Sequence, residues 1–281
     1  MKKVWLPFIS ATLLAAIYTP AYAEKSNQKV AIALGQLDYS WQEFDENDDL
    51  RNPAYVEVVN ENGNLSALQA TYIFEQEEYH FSAQISHASG TVDYYGRIIL
   101  EFVTDQWDYS KTDYTINTME FSYGKYFDID YIKPFASIIG GYTEQERTIN
   151  GNPDFIAGNN PAPYLTSVES MHFYYWGLLL DTEVFAWNDF ALNIGAEYNR
   201  GLKTKQTVAT EGEAAYTLKL KPLISRKLLA SLHYSFLNSW KASLTLEITK
   251  SKIKKSREEK PYQPNSEQDH NYLGLRLQKT F

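Results

Sequence analysis

The chain has 281 residues and no cysteine, so its fold is held together without disulfide bonds. The formal net charge is −9 and no basic stripe stands out, which argues against a nucleic-acid partner. Aromatic residues make up 15% of the chain, yet no segment after residue 23 approaches the roughly 18 apolar residues of a spanning helix. Two classes remain, a soluble β-sandwich and a membrane β-barrel, because alternating strands give no helix-type hydropathy signal.

The first 23 residues have the layout of a secretory signal peptide. A basic Met-Lys-Lys start precedes an apolar stretch, and Ala-Tyr-Ala at 21–23 is a small-x-small cleavage pattern before Glu24. A membrane anchor is the alternative, but the apolar stretch is short and interrupted by prolines. We therefore predict cleavage after Ala23, so that residues 24–281 form a single exported domain.

Ten stretches of the mature chain alternate apolar and polar residues with a period of two, which is typical of strands. On the clearest of them, large apolar residues share one face, while Ser, Thr, Gly, Asn and single Glu residues share the other. This division suits a barrel with lipid outside and a polar lumen better than a sandwich, whose solvated face would carry many long charged side chains. The predicted strands are about 29–43, 64–74, 79–89, 113–127, 131–147, 168–183, 190–200, 225–236, 240–253 and 271–281.

Three regions depart from the simple alternation. In 29–43 the apolar residues change face after Leu34, which we interpret as a bulge near Gly35 or a partly covered strand. In 131–147, Phe135 and Ile138 fall on opposite faces. The connection 201–224 contains Y-T-L-K-L-K-P, which either adds strand outside the membrane or raises the strand count to twelve.

Short and long connections alternate strictly along the chain. This order is expected when one side of a membrane receives turns and the other receives loops, with both termini on the turn side. The short links are 75–78, 128–130, 187–189 and 237–240, and the long polar stretches are 44–63, 90–112, 148–166, 201–224 and 254–270.

The chain ends N-Y-L-G-L-R-L-Q-K-T-F, an amphipathic strand whose last residue is aromatic. This end resembles the C-terminal recognition strand of bacterial outer-membrane β-barrels. The resemblance implies a closed antiparallel up-and-down transmembrane barrel in the outer membrane, surrounded by its lipids and inserted by the barrel-assembly machinery. Closure of the last strand against the first leaves no unpaired edge in lipid. The residues that carry the resemblance are Tyr272, Leu273, Leu275, Leu277 and Phe281.

Some barrels of this kind are enzymes, and two catalytic patterns can be sought in the sequence. Omptin-type proteases carry a pair of Asp and an Asp-x-His near the outer rim, and no histidine here follows an Asp by two positions. Outer-membrane phospholipases and lipid A deacylases carry His-x-Ser on one lipid-facing strand, which His87-Ala88-Ser89 resembles. The family pattern continues with Asn, whereas this chain has Gly90, and Asn117 on the next strand is the candidate to orient the histidine. We therefore expect two polar residues at headgroup level and keep a lipid acyl hydrolase as the alternative.

Four charged residues are expected to face the lumen: Glu120, Glu197, Glu247 and Arg276. A ten-stranded barrel is narrow, and buried charges require partners. We therefore predict an ion-paired network that fills the lumen, with a narrow channel for small solutes as the alternative.

The remaining charged segments indicate no cofactor. The acidic segments lack the spacing of a calcium loop, so we expect no metal site. The basic run 250–257 either binds phosphates of the outer leaflet or is a solvated loop base. The sequence thus predicts a monomeric, non-enzymatic barrel with a structural or surface-interaction role and an extracellular ligand that the residues do not name.

Overall fold

The computed structural model describes residues 26–46, 55–100, 103–129, 132–151, 166–237, 239–254, 256 and 264–281. The predicted signal peptide lies outside this part of the chain. The strands are β1 (Ser26–Glu46), β2 (Tyr55–Gln76), β3 (Tyr79–Leu100), β4 (Val103–Tyr126), β5 (Phe135–Ile149), β6 (Ser167–Trp187), β7 (Phe190–Thr210), β8 (Tyr216–Leu220), β9 (Ile224–Phe236), β10 (Trp240–Ile253) and β11 (Asn265–Thr280). Within the described residues, no helix is long and apolar enough to cross a membrane.

The strands close into one antiparallel barrel, as the sequence predicted. Each strand from β1 to β7 pairs with the next, β7 pairs with β9, and β11 completes the circle by pairing with β1. Ten strands surround the lumen, and the short β8 extends the sheet beside the outer part of β7. The twelve-strand alternative is therefore wrong. Pro222, which has no amide hydrogen, falls in the break between β8 and β9.

The strands are strongly staggered. Following register partners once around the barrel from Lys29 returns to β1 at Trp41, and 41 − 29 gives a shear of 12 residues. In a closed barrel such stagger requires a strand tilt of about 40°. Residues that are neighbours across strands therefore lie at rising heights along the barrel.

A band of large apolar side chains covers the outside of the barrel. Leu34 on β1 and Leu275 on β11 are 64% and 68% exposed, while the lumen-facing Ala31 and Ala33 are buried. Exposed apolar residues continue the band on the other strands, among them Leu68, Phe121, Ile138, Leu178, Leu180, Ile194, Leu228, Leu244 and Leu246. Water-soluble monomers rarely expose a continuous apolar surface of this kind, whereas a transmembrane barrel requires one.

The barrel continues well beyond this band. A tilted strand crosses a membrane with about 9–11 residues, but β2 and β3 have 22 residues each and β4 has 24. Above Leu34 the outward positions of β1 become Gln36, Asp38 and Ser40, which suits water rather than lipid. The predicted long loops are therefore mostly strand in 90–112 and 201–224, and partly strand in 44–63 and 254–270.

The change of face in the first strand is not a bulge near Gly35. Register continues through Gly35, which lies between Ala67 and Gly274, and the shift in β1 comes later, at Glu43/Phe44. A Cβ on Gly35 would lie 2.4 Å from the Tyr272 ring, so this glycine makes room for an aromatic side chain inside the barrel. Beyond Gly35 the apolar residues of β1 face the lumen, where Tyr39 and Trp41 are buried.

The links at one end of the barrel are tight, as predicted. β2 and β3 are joined at residues 77–78, β6 and β7 at 188–189, and β9 and β10 at 237–239. Glu77, Asn188 and Leu237 have positive φ in these three turns. Ile129 and Ile132 form an isolated bridge between β4 and β5. In the predicted orientation this end faces the periplasm, where the chain also ends.

The C-terminal residues complete the barrel at this end. The Phe281 amide donates to the Gln28 carbonyl at 2.9 Å, and the Phe281 side chain is exposed. Lys279, which interrupts the apolar alternation, places its Nζ 5.4 Å from the Trp240 ring centre and 5.0 Å from that of Phe281. A cation held over aromatic faces is compatible with a position at a membrane interface.

The apolar band generates a prediction about Leu275. Leu275→Asp should impair membrane assembly, since a carboxylate facing lipid costs on the order of 2 kcal/mol at mid-depth. The measurement is the heat-modifiable folded fraction after assembly in lipid vesicles. Asn271→Asp is the control because Asn271 shares the outward face of β11 but lies above the band, and it should assemble normally. Equal yields from the two variants would contradict the assignment of the band to lipid.

Candidate functional site

Arg147 lies at the centre of a cluster of charges in the lumen above the apolar band. Its Nη2 lies 2.7 Å from Glu43 Oε1, its Nη1 lies 3.2 Å from Glu61 Oε2, and its Nε donates to Glu169 Oε2 at 2.9 Å. The Arg147 side chain is 3% exposed and that of Glu61 is 0% exposed. These four residues come from four different strands, β1, β2, β5 and β6. Glu169 lies on the strand next to that of Arg147. The ion pairs to Glu43 and Glu61 join walls that face each other across the lumen.

Aromatic and amide side chains surround these ion pairs. Trp41 stacks on the guanidinium, with its ring centre 4.9 Å from Arg147 Cζ, and donates from Nε1 to Glu43 Oε1 at 2.8 Å. Gln145 Nε2 donates to Tyr39 OH at 2.9 Å. The full set, which we call the outer lumen cluster, is Arg147, Glu43, Glu61, Glu169, Tyr39, Trp41, Tyr114, Gln145, Gln206 and Gln268.

The outer lumen cluster draws residues from seven of the ten barrel strands: β1, β2, β4, β5, β6, β7 and β11. The side chains of Tyr39 and Trp41 lie in the lumen, and both are fully buried by their neighbours. Such packing places large side chains across the lumen at this level, where a barrel this narrow is only a few side chains wide.

Burial dominates the electrostatics of Glu61. It raises the pKa of the Glu61 carboxyl above its usual range, while Arg147 and a hydrogen bond from Tyr114 oppose that rise. Thr112 Oγ1 also donates to Glu61, at 2.9 Å. The Glu61 carboxyl therefore has both an ion-pair partner and hydrogen-bond donors. A buried carboxyl without access to water requires such partners, whether it is ionised or neutral.

A second group of charges lies in the lumen at the level of the band. Lys227 Nζ lies 3.2 Å from Glu197 Oε2 and 3.7 Å from Glu247 Oε2. Tyr175 OH donates to Glu120 Oε2 at 2.9 Å. Glu120, Glu197 and Glu247, three of the predicted network residues, therefore lie around Lys227, which was not among the predicted residues.

Arg276, the fourth predicted network residue, is not part of this group. Its Nε and Nη2 are buried and have no hydrogen-bond partner within the described chain. It faces the lumen nearer the end with the tight turns, two residues from Gln278. Gln278, Lys29 and Lys241 help to line a cavity of about 260 Å³ that opens there.

His87 and Ser89 face outward at the edge of the apolar band, on the same side of β3 as Phe81 and Ile85. Asn117 lies directly across from His87 on β4, and His87 Nδ1 is 2.8 Å from Asn117 Oδ1. Asn117 thus makes the contact that was proposed for it. Among the described side chains, Ser89 makes no hydrogen bond to His87.

Sequence reasoning missed the outer lumen cluster because six of its ten residues lie in stretches that were predicted to be loops or bulged strand, and the other four lie near the ends of predicted strands. The one available signal was the alternation of Tyr39, Trp41 and Glu43 with Asp38, Ser40 and Gln42. That alternation continues the register of β1, so it marks a strand whose inner face is the buried one.

Arg147 generates a second prediction. Arg147→Met should destabilise the barrel by about 3–5 kcal/mol, because it leaves buried carboxylates without their counter-charge. The pKa of the Glu61 carboxyl, which burial raises and Arg147 lowers, would rise further without Arg147, so the loss should be smaller at about pH 4.5 than at about pH 8. Denaturant unfolding of the detergent-folded protein measures both effects. Arg200→Met, at an exposed outward position, is the control, and an equal loss in the control would contradict the central role of Arg147.

Comparison with known proteins places the fold but no sequence family. No protein-family model and no curated protein matches the chain. Among solved structures, the outer membrane protease OmpT from Escherichia coli is similar with a TM-score of 0.62 and 12% identity, over 94% of this chain and 99% of that one. The translocator domain of the autotransporter NalP from Neisseria meningitidis has a TM-score of 0.47 and 10% identity, over 97% of this chain and 95% of that one.

At these identities the likeness concerns the fold alone. OmpT aligns over nearly its whole length, so the similarity covers the complete barrel and not one hairpin. OmpT is an outer-membrane protein, and its fold agrees with the closed antiparallel sheet seen here. By its fold, the chain is a ten-stranded β-barrel of the bacterial outer-membrane type.

Proposed function

We propose that this protein is an outer-membrane barrel that conducts no solute and acts at the cell surface. The single observation that supports this proposal most directly is the outer lumen cluster, which joins seven strands across the lumen. A pore needs a continuous water-filled path. Here the side chains of Trp41, Tyr39 and Arg147 are buried in the lumen, and Trp41 packs against Arg147. The outer-membrane location is supported by the apolar band and by the known locations of proteins with this fold.

The outer lumen cluster also suits a mechanical role. Long strands that rise above the membrane would splay if only their hydrogen bonds held them in a ring. Ion pairs from Arg147 to Glu43, Glu61 and Glu169 connect the walls directly. The outer part of the barrel thereby becomes a rigid platform that presents the connections above it to other molecules. This role requires no enzymatic residue.

Planar-bilayer recording tests the closed lumen. The wild-type protein should give no channel steps, because the outer lumen cluster blocks the path. A variant with Trp41→Ala and Arg147→Ala removes two of its largest side chains and should gain conductance if it folds. The wild-type recording tests the proposal even if that variant does not fold. Steady single-channel current from the wild type would overturn the proposal in favour of the narrow channel.

A lipid acyl hydrolase is the second candidate function, and one contact favours it. With His87 Nδ1 donating to Asn117 Oδ1 at 2.8 Å, the other ring nitrogen, Nε2, remains available as a base. Ser89 shares this face two residues farther along β3. His87 is thus a base held by the Asn117 amide, and the Ser89 hydroxyl lies nearby at the edge of the apolar band. Attack on a lipid ester requires a base and a nucleophile in such an arrangement.

The chemistry would be acyl transfer through Ser89. The Ser89 Oγ would attack the ester carbonyl carbon while its proton passes to His87 Nε2, and that proton would leave with the departing alcohol. Water would then release the fatty acid from the acyl-serine. This candidate ranks second because Ser89 and His87 are not hydrogen-bonded and no oxyanion donor is identified among the described residues.

Fatty-acid release from phospholipid and lipid A vesicles decides between the two functions. We expect no release from the wild type and no change in Ser89→Ala. Ser66→Ala is the matched control, because Ser66 lies directly across from Ser89 on the same outward face of β2. Release that disappears in Ser89→Ala but persists in Ser66→Ala, with both barrels folded, would make the protein an enzyme.

A further inference from the structure

Basic side chains from three strands meet on one outer surface of the barrel. Arg226 on β9 lies directly across from Lys250 on β10, and Arg200 lies across from Ile224, two residues before Arg226. All of the residues in this group are exposed. We call this surface the basic patch, and it consists of Arg200, Lys203, Lys205, Arg226, Lys250 and Lys252. The basic run 250–257 supplies only two of these positions, and the barrel adds the other four.

The basic patch begins where the apolar band ends. On β7 the outward position before Arg200 is Tyr198, on β9 the outward neighbour of Arg226 is Leu228, and that of Lys250 on β10 is Ile248. Leu228 is 61% exposed and belongs to the band. Cations directly above the hydrocarbon are at the depth of lipid phosphates.

Few carboxylates on these strands neutralise the patch. The only acidic residues of β7, β8, β9 and β10 are Glu197 and Glu247, and both face the lumen around Lys227. The partners on the next strand are Asp269, 3.4 Å from Lys250, and Glu267, 2.5 Å from Lys252. A concentration of like charge on a chain of net charge −9 is unfavourable unless an external anion balances it.

The other side of the barrel has the opposite character. At comparable outward positions above the band lie Asp38 on β1, Asp113 on β4 and Glu144 on β5. Asp93 on β3 pairs with Lys111. General electrostatic attraction to an anionic membrane would favour basic residues all around the rim. Among the described side chains, the basic residues above the band are concentrated on β7, β9 and β10, which indicates a localised ligand instead.

The height of the patch indicates the kind of lipid. Across a bulge in β7, Arg200 and Lys205 pair with Trp176 and His172 on β6, four register positions apart. Four positions are about 13 Å along the strand, which at a tilt of about 40° is roughly 10 Å of height. The headgroup layer on each side of a phospholipid bilayer is only about 5–8 Å thick. We propose that the basic patch binds a phosphorylated glycolipid, whose sugar headgroup carries phosphates and extends farther from the hydrocarbon than a phospholipid headgroup does.

The proposal is tested by lipid binding to the protein folded in neutral detergent. This binding is measured independently of any channel or hydrolase activity. The probe is lipid A, a diphosphorylated disaccharide lipid, and binding is measured by native mass spectrometry. The triple variant Arg200→Gln, Arg226→Gln and Lys250→Gln should bind about a hundredfold more weakly, from roughly a factor of five for each basic residue near an anionic surface. The control triple variant Lys111→Gln, Lys125→Gln and Lys133→Gln makes the same change of charge elsewhere and should bind as the wild type does.

Two further lipids separate the sources of phosphate. The wild type should bind dephosphorylated lipid A about as weakly as the patch variant binds lipid A. The wild type should also bind phosphatidylglycerol at least tenfold more weakly than lipid A. Equal loss in the two triple variants, or tight binding of the dephosphorylated lipid, would overturn the patch as a phosphate site. Equal affinity for phosphatidylglycerol would overturn its assignment to a glycolipid.

Discussion

Closure of the sheet is the constraint on which the rest of this structure depends. In hydrocarbon, backbone N–H and C=O groups have no water to bind, so a sheet must pair its last strand with its first. Here β11 pairs with β1 along sixteen residues of register, from Lys29↔Thr280 to Phe44↔Asn265. The stagger that closure imposes tilts the strands and brings residues far apart in the chain to one level. The lumen clusters and the basic patch are consequences of that register.

The barrel is built in two zones with different physics. At the level of the apolar band, Leu34 and Leu275 face outward and small residues such as Ala33 face inward, with Lys227 neutralising its carboxylates inside. Above the band the outward face is polar, and the lumen contains Trp41 and the Arg147 ion pairs. In the first zone lipid surrounds the sheet and holds it together. In the second zone the outer face of the barrel contacts water, so the contacts between side chains in the lumen must stabilise it, as the core of a soluble protein does.

These two zones explain which sequence predictions succeeded. Where lipid is outside, outward residues must be apolar and lumen residues polar, so β10 and β11 could be read correctly from alternation alone. Above the band the outward face is polar, and the inner face mixes apolar residues such as Val92 with buried charges, so the same backbone was predicted as loop in 90–112. Lumen contacts were harder still. Glu120, Glu197 and Glu247 were expected together, but their common partner Lys227 and, within the described chain, the unpaired Nε and Nη2 of Arg276 depend on which strands face each other across the lumen.

The sequence by itself determined the fold class, the ten strands of the barrel, the tight turns at one end and the lipid-facing residues, because each is encoded within a few consecutive positions. It also identified His87, Ser89 and Asn117 as neighbours, since adjacent antiparallel strands fix local register. Only the tertiary structure decided that Arg147 meets Glu43 and Glu61, and that Arg200, Arg226 and Lys250 share one surface. Those contacts depend on shear and closure, which are properties of the complete ring and are not written in any single strand.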